Sequence, residues 1–171
     1  VTPPVTEIKD YWVRLYLFLS DTEKFTGLTD LPHSGYSRVE MCDAVALIDR
    51  AAVGPDFLPG HAHADTLSFE LSLFGQRVIV NSGTSVYGTG NQRHLERGTA
   101  AHSTVVIDAE NSSEVWGGFR VARRARVIDR KQNEIDGVVH LAACHVGYTR
   151  LTGKPVHCRE WLFEGGTLSI Y

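Results

Sequence analysis

After residue 36 the chain alternates apolar and polar positions with a repeat of two. Between Leu67 and Leu73 the odd positions are Leu, Phe, Leu and Leu, and the even ones Ser, Glu and Ser. That period belongs to a strand with one buried face and one wet face. The same pattern predicts strands over residues 44–49, 77–81, 103–108, 119–128 and 138–144. A tight turn is expected at 74–76, and a terminal hairpin pairs 160–163 with the segment from Thr167 around Glu164-Gly165-Gly166. Short strands between Gly- and Asn-containing turns, with no convincing long helix after residue 30, predict an all-β fold, an antiparallel sandwich or barrel. Residues 11–19 are apolar almost all round and favour a buried helix over a buried strand, because residues 21–24 lack hairpin turn chemistry. Residues 20–34 read as a polar connection.

The 171 residues suffice for one domain with its own core. A net charge of −3 provides no general attraction for nucleic acid, and no apolar run is long enough to span a membrane. Three widely spaced cysteines, Cys42, Cys144 and Cys158, with no C-x-x-C, favour buried free thiols over a disulfide framework, although Cys144 and Cys158 could face each other across strands. The chain begins without Met and stops inside an apparent strand, so a fragment of a longer protein is expected.

Candidate chemistry concentrates in the histidines. Four of the eight, His61, His63, His94 and His102, lie between positions 61 and 102. In Gly60-His61-Ala62-His63-Ala64-Asp65 the titratable groups fall at i, i+2 and i+4, on one side of an extended segment. His61 and His63 are therefore candidates for catalysis or ligation. Asp65 is expected to support a histidine by accepting its Nδ1–H rather than to bind metal itself. A second polar cluster holds Asn81, Thr84, Tyr87, Arg93, Arg97 and His102. A straight strand from His63 to the turn near Gly75 would leave His63 well over ~10 Å from Asn81 at ~3.3 Å per residue. The two clusters can thus meet only if the chain bends between Ala64 and Leu67. The four arginines between Phe119 and Val127 suit a solvated strand edge or, less often, attraction of a polyanion.

Several pieces resemble the heparinase II/III family of polysaccharide lyases, in its C-terminal β-sandwich domain. They are Ser34-Gly35-Tyr36, residues 60–69 (GHAHADTLSF), residues 78–84 (VIVNSGT), residues 97–104 (RGTAAHST), residues 147–151 and His157-Cys158-Arg159. The resemblance implies an antiparallel sandwich over 34–171, truncated at its C-terminal end. It also implies that residues 1–33 are the helical or linker remnant of a missing N-terminal α/α toroid. The implied activity is β-elimination on an anionic uronate polysaccharide such as a glycosaminoglycan or alginate, with His61 as the catalytic-cleft histidine. Zinc ligands are implied at His63, Asn81 and His102, where Asn81 stands in place of the family's usual Asp and Ser103 in place of its Asn. Tyr87 and Arg93 are candidates for substrate binding. The periplasm suits a polymer lyase. The fragment alone should be inactive, because the toroid supplies the remaining catalytic groups. The alternatives are a non-catalytic sandwich that binds carbohydrate or a partner, and a cupin-like metalloenzyme. For the cupin the His63-to-Glu70 gap is too long, and a second Pro-Gly-His-Asn motif is absent.

Overall fold

A computed structural model describes Thr6 and residues 26–171, and the expectation for residues 11–19 lies outside them. The first sheet is an antiparallel meander in chain order: β1 (Gly27–Leu31), β2 (Tyr36–Met41), β3 (Ala44–Asp49), β4 (Phe69–Leu73) and β5 (Gln76–Ile79). A short helix, α1 (Asn91–Arg97), and a two-stranded ribbon, β6 (Val115–Trp116) and β7 (Arg120–Val121), follow. The second sheet takes β8 (Val127–Ile135), β9 (Val138–His145), β10 (His157–Glu164) and β11 (Thr167–Ile170) in the order β11-β10-β9-β8.

The two sheets bury each other's inward positions. Val39, Ala46, Ile48, Leu67 and Phe69 from the first half meet Val139, Leu141, Ala143, Trp161 and Phe163 from the second in one apolar cluster. Each large side chain buried there stabilises by roughly 1.5–3 kcal/mol. This is the all-β sandwich that the alternation predicts. The buried Arg50 adds a polar tie between the sheets. Its guanidinium donates to Asp30 Oδ1 (3.0 Å) and Ser37 on one side, and to Gln132 Oε1 and the Lys131 carbonyl (both 2.8 Å) on the other. Among the described residues no helix is long and apolar enough to cross a membrane.

Four expectations need correction. Residues 27–31 are not connection but strand β1, paired in register with β2 from Gly27↔Glu40 to Leu31↔Tyr36. Their polar sequence, Gly-Leu-Thr-Asp-Leu, suits a sheet edge and hides the strand. Residues 103–108 form no strand; one isolated bridge, Ile107↔Glu110, is all the pairing there. The segment 119–128 divides between β7 and the start of β8, with irregular chain between them. The favoured free thiols are a disulfide: Cys144 and Cys158 occupy facing positions on β9 and β10 and are bonded (S–S 2.04 Å), while Cys42 is free and exposed.

Next to the disulfide, His145 and His157 also face each other in the ladder, but on the inward side. His157 Nδ1 and His145 Nε2 are 3.0 Å apart, and His145 Nδ1 accepts the Gly147 N–H (3.1 Å). That bond makes His145 Nε2 the protonated nitrogen and His157 Nδ1 its acceptor, so the pair fits two neutral rings. Burial, with the neighbouring His157, pushes His145 down to about 3, and burial, with Arg159, pushes His157 down to about 4.

Two stability measurements follow. Cys158→Ser should cost about 2–4 kcal/mol in denaturant unfolding, whereas alkylation of all three cysteines without reductant would contradict the bridge. For the histidines, both states are neutral above the ordinary value of about 6.5, so the pair carries no penalty there. As pH falls from 6.5 toward 4 and 3, only the unfolded chain takes up these protons, and stability declines. His157→Gln should therefore melt progressively higher relative to the parent between about pH 7 and about pH 4.5; a constant difference would contradict the buried neutral pair.

Candidate active site

The bend that the sequence requires is present. Ser68 N–H donates to the Asp65 carbonyl (2.9 Å), closing a turn in which Leu67 has φ +63°. Left-handed backbone costs a non-glycine residue roughly 1–2 kcal/mol. Leu67 is 0% exposed within the apolar cluster, a burial that offsets the strain at roughly 1.5–3 kcal/mol and that glycine could not provide. The strand therefore starts at Phe69, and the histidine segment swings away from its line.

The reversal is held from the opposite sheet. Arg159 on β10 donates from Nη1 to the carbonyls of Leu67 (2.9 Å) and Ser103 (2.6 Å), with its guanidinium 5.8 Å from the Phe69 ring centre. Ser103 Oγ accepts the Phe69 N–H (3.0 Å), and Thr104 Oγ1 donates to the Thr66 carbonyl (2.9 Å). The segment after His102 is thereby fastened along the turn, which is why it cannot continue as a regular strand.

Helix α1 fastens the other side with two buried arginines one turn apart. Arg93 donates to the carbonyls of Gly118 (3.1 Å) and Gly60 (3.2 Å) and to Thr84 Oγ1 (3.1 Å). Arg97 donates to the carbonyls of Ala62 (3.0 Å), Trp116 (3.4 Å) and Arg120 (3.2 Å). Glu96, between them in sequence, accepts from the Ser85 N–H (2.9 Å), the Ser85 hydroxyl and Gln92 Nε2 (2.8 Å); these bonds hold its carboxyl down to about 2.

The result brings His63 and His102 together: His63 Nδ1 and His102 Nε2 are 3.3 Å apart, and donor atoms of His63, Asp65 and His102 all lie within 4.8 Å of one another. On the far side of His63, Nε2 is 3.2 Å from Thr84 Oγ1 and 3.4 Å from Arg93 Nη1. Burial, then the charges of His102, Arg93 and Arg97, push His63 down to about 4, leaving it a free base at neutral pH. Burial also lowers His102, while the Asp65 carboxylate pulls it back up; Asp65 itself is raised by burial.

Other sequence candidates are placed differently from one another. Asn81 Oδ1 accepts the Gly83 N–H (2.8 Å), and Asn81 lines a small pocket with Asp65, Asp49 and Ser103. His61 is exposed, and its ring meets Tyr87 edge-on at 5.7 Å. Arg93 is not a ligand-facing cation: at 0% exposure, with carbonyl and hydroxyl partners, it braces the loops. In the arginine-rich segment, Arg120 stacks on Trp116 (4.9 Å), Arg123 pairs with Glu114 (2.6 Å), and Arg124 pairs with Asp56 (2.5 Å). Sequence reasoning assigned no role to Arg159, and it put Thr84 and Arg97 only within a polar cluster. Nothing local to them signals a role, because each acts on a segment distant in sequence.

Arg159→Met should leave the Leu67 and Ser103 carbonyls without their donor and cost about 2–4 kcal/mol in denaturant unfolding. A cost below about 0.5 kcal/mol, the usual range of a surface change, would show that the reversal stands without it.

Comparison with known proteins gives a consistent picture. The sequence signature described as "Heparinase II/III-like, C-terminal" matches residues 24–171. No curated protein matches the chain. Heparan sulfate lyase HepC from Pedobacter heparinus superposes with a TM-score of 0.65 at 20% identity, over 91% of this chain and 23% of that one. A heparinase III gene product gives 0.68 at 19% identity, over 94% and 24% respectively. A further heparinase III structure gives 0.54 at 20% identity, over 75% and 19%. The chain thus spans about a quarter or less of the solved chains it resembles, and these likenesses establish the sandwich fold.

Proposed function

The chain belongs to the heparinase II/III-like C-terminal family, and on that basis we propose that it is the β-sandwich domain of a polysaccharide lyase cleaving a uronic-acid-containing polysaccharide by β-elimination. The observation that carries this reading is the exposed His61 beside a braced His63–Asp65–His102 cluster. Heparan sulfate, named for a solved relative, is the glycosaminoglycan to test first. In the proposed reaction a base takes the C5 proton, which is α to the uronate carboxylate, while hydrogen bonding to that carboxylate steadies the charge that develops. His61 acts at this carboxylate or proton: its ring is open to solvent and oriented by Tyr87, and its backbone is held through Gly60 by Arg93. The general acid that protonates the leaving oxygen, typically Tyr, comes from the toroid domain.

The donor set suits zinc. Two imidazole nitrogens 3.3 Å apart, with an Asp65 oxygen in a set of donor atoms all within 4.8 Å of one another, are the nitrogen and oxygen ligands that zinc would take. Asp65, expected from the sequence only to support a histidine, offers an anionic third ligand, and a carboxylate serves zinc better than the neutral Asn81 amide, whose oxygen also accepts the Gly83 N–H. Thr84 Oγ1 accepts the remaining ring proton of His63. When bound, zinc would cross-link the segments of His63 and His102 and fix the loop that presents His61. The Cys144–Cys158 bridge suits an oxidising compartment, the periplasm or the exterior.

The test is turnover of heparan sulfate by the full-length protein, read as absorbance of the unsaturated product. His61→Ala should lower kcat by about 10²–10⁴-fold with the fold intact. Near-normal turnover would remove His61 from the mechanism, and binding without any product would favour a non-catalytic carbohydrate-binding sandwich.

A further inference from the structure

Beside His61 lies an arrangement that the lyase chemistry does not itself require. Tyr87 and Phe119 come from different loops, yet their rings are parallel to within 7° with centres 6.2 Å apart. The Arg93 guanidinium lies 5.3 Å from the Tyr87 centre and 5.9 Å from that of Phe119. Because Arg93 is fully buried, it covers the rings from the protein side, and they remain open outward, Tyr87 at 64% and Phe119 at 44% exposure.

The juxtaposition is enforced by backbone packing. Gly118, in the ribbon turn before Phe119, has φ +73°, and a Cβ there would stand 1.9 Å from the Gly88 carbonyl oxygen, next to Tyr87. Only glycine lets the two loops approach so closely. Arg97, holding Trp116 and Arg120 by their carbonyls, fixes the ribbon to α1. Gly60 touches the same ledge, since a Cβ on it would meet Phe119 Cδ1 at 3.9 Å.

Exposed parallel rings cost free energy unless something covers them, and their shape and charge select the cover. The apolar C–H face of a pyranose lies flat on an aromatic ring. A cation on the inner face draws off part of the ring's negative face charge, which makes the outer face more tolerant of an anionic sugar. Arg120, exposed and stacked on Trp116 in the same ribbon, offers a guanidinium to a carboxylate or sulfate.

We propose that Tyr87 and Phe119 form a stacking platform for one pyranose ring of the anionic polysaccharide, adjoining His61 and flanked by Arg120. The proposal rests on the lyase reading for the identity of the polymer, but not for the platform's ability to bind it. Its energy is shared by ground state and transition state, so it governs KM rather than kcat.

The experiment uses the full-length protein with a heparan sulfate hexasaccharide, by kinetics and by calorimetric binding in the His61→Ala background. Phe119→Ala and Tyr87→Ala should each raise KM and weaken binding roughly 3- to 10-fold, with kcat of Phe119→Ala within about twofold of the parent. Tyr87→Phe should bind the hexasaccharide as tightly as the His61→Ala background does, because the ring and not the hydroxyl carries the contact. Circular dichroism and melting temperature verify that the variants fold. Unchanged KM and binding in folded Phe119→Ala would overturn the platform, as would weakened binding in Tyr87→Phe, which would make the hydroxyl rather than the ring the contact. If no product forms, weakened binding in Phe119→Ala still supports the platform while the lyase reading fails. If His61→Ala abolishes turnover but the ring variants are silent, the lyase reading survives and the platform does not.

Discussion

The carbonyl groups of Leu67 and Ser103 face inward where two segments fold over the end of the sandwich, and a buried carbonyl without a donor is expensive. Arg159, reaching from the opposite sheet, supplies that donor to both. The bracing makes the left-handed Leu67 tenable, and the left-handed Leu67 turns the histidine segment out of line with β4. Without the turn, His63 would continue along the strand axis, far from His102. The site is thus a consequence of how the sandwich closes one end, and its geometry depends on side chains that carry no chemistry of their own.

The second constraint is the buried charge of α1. Arg93 and Arg97 reach carbonyls on the 60–62 loop and on the ribbon, and Arg93 also reaches Thr84. Guanidinium groups suit this work because their fork of donors can reach several acceptors at once while staying charged. Burial first, then the charges of His102 and of these two arginines, keep His63 unprotonated. One pair of side chains therefore positions the loops and tunes the imidazole.

The two-residue period made the sandwich readable, because strands such as β3 and β9 have one face in the core and one in water. It failed where that asymmetry is missing. Strand β1 is polar and lies at the sheet edge, most of β8 is exposed on both faces, and residues 103–108 are apolar by composition but tethered by Thr104 and Arg159 rather than by a ladder. The histidines could be chosen from spacing and family resemblance, and the required bend could be located between Ala64 and Leu67. What the sequence could not reveal were contacts between distant segments: the cross-strand disulfide, the closeness of Asp65 to both imidazoles, and the inward burial of Arg93. A lone arginine in a polar loop reads as a ligand-facing cation until its acceptors are known.

The reversal at Leu67 gathers donor atoms of His63, Asp65 and His102 within 4.8 Å of one another. Anomalous diffraction at the zinc edge from crystals of the zinc-soaked protein tests it most directly. The expected result is a single strong peak within bonding distance of His63 Nδ1, His102 Nε2 and an Asp65 oxygen, with Leu67 left-handed. Density showing β4 extended straight back through Leu67, with the two imidazoles apart and no peak between them, would contradict it.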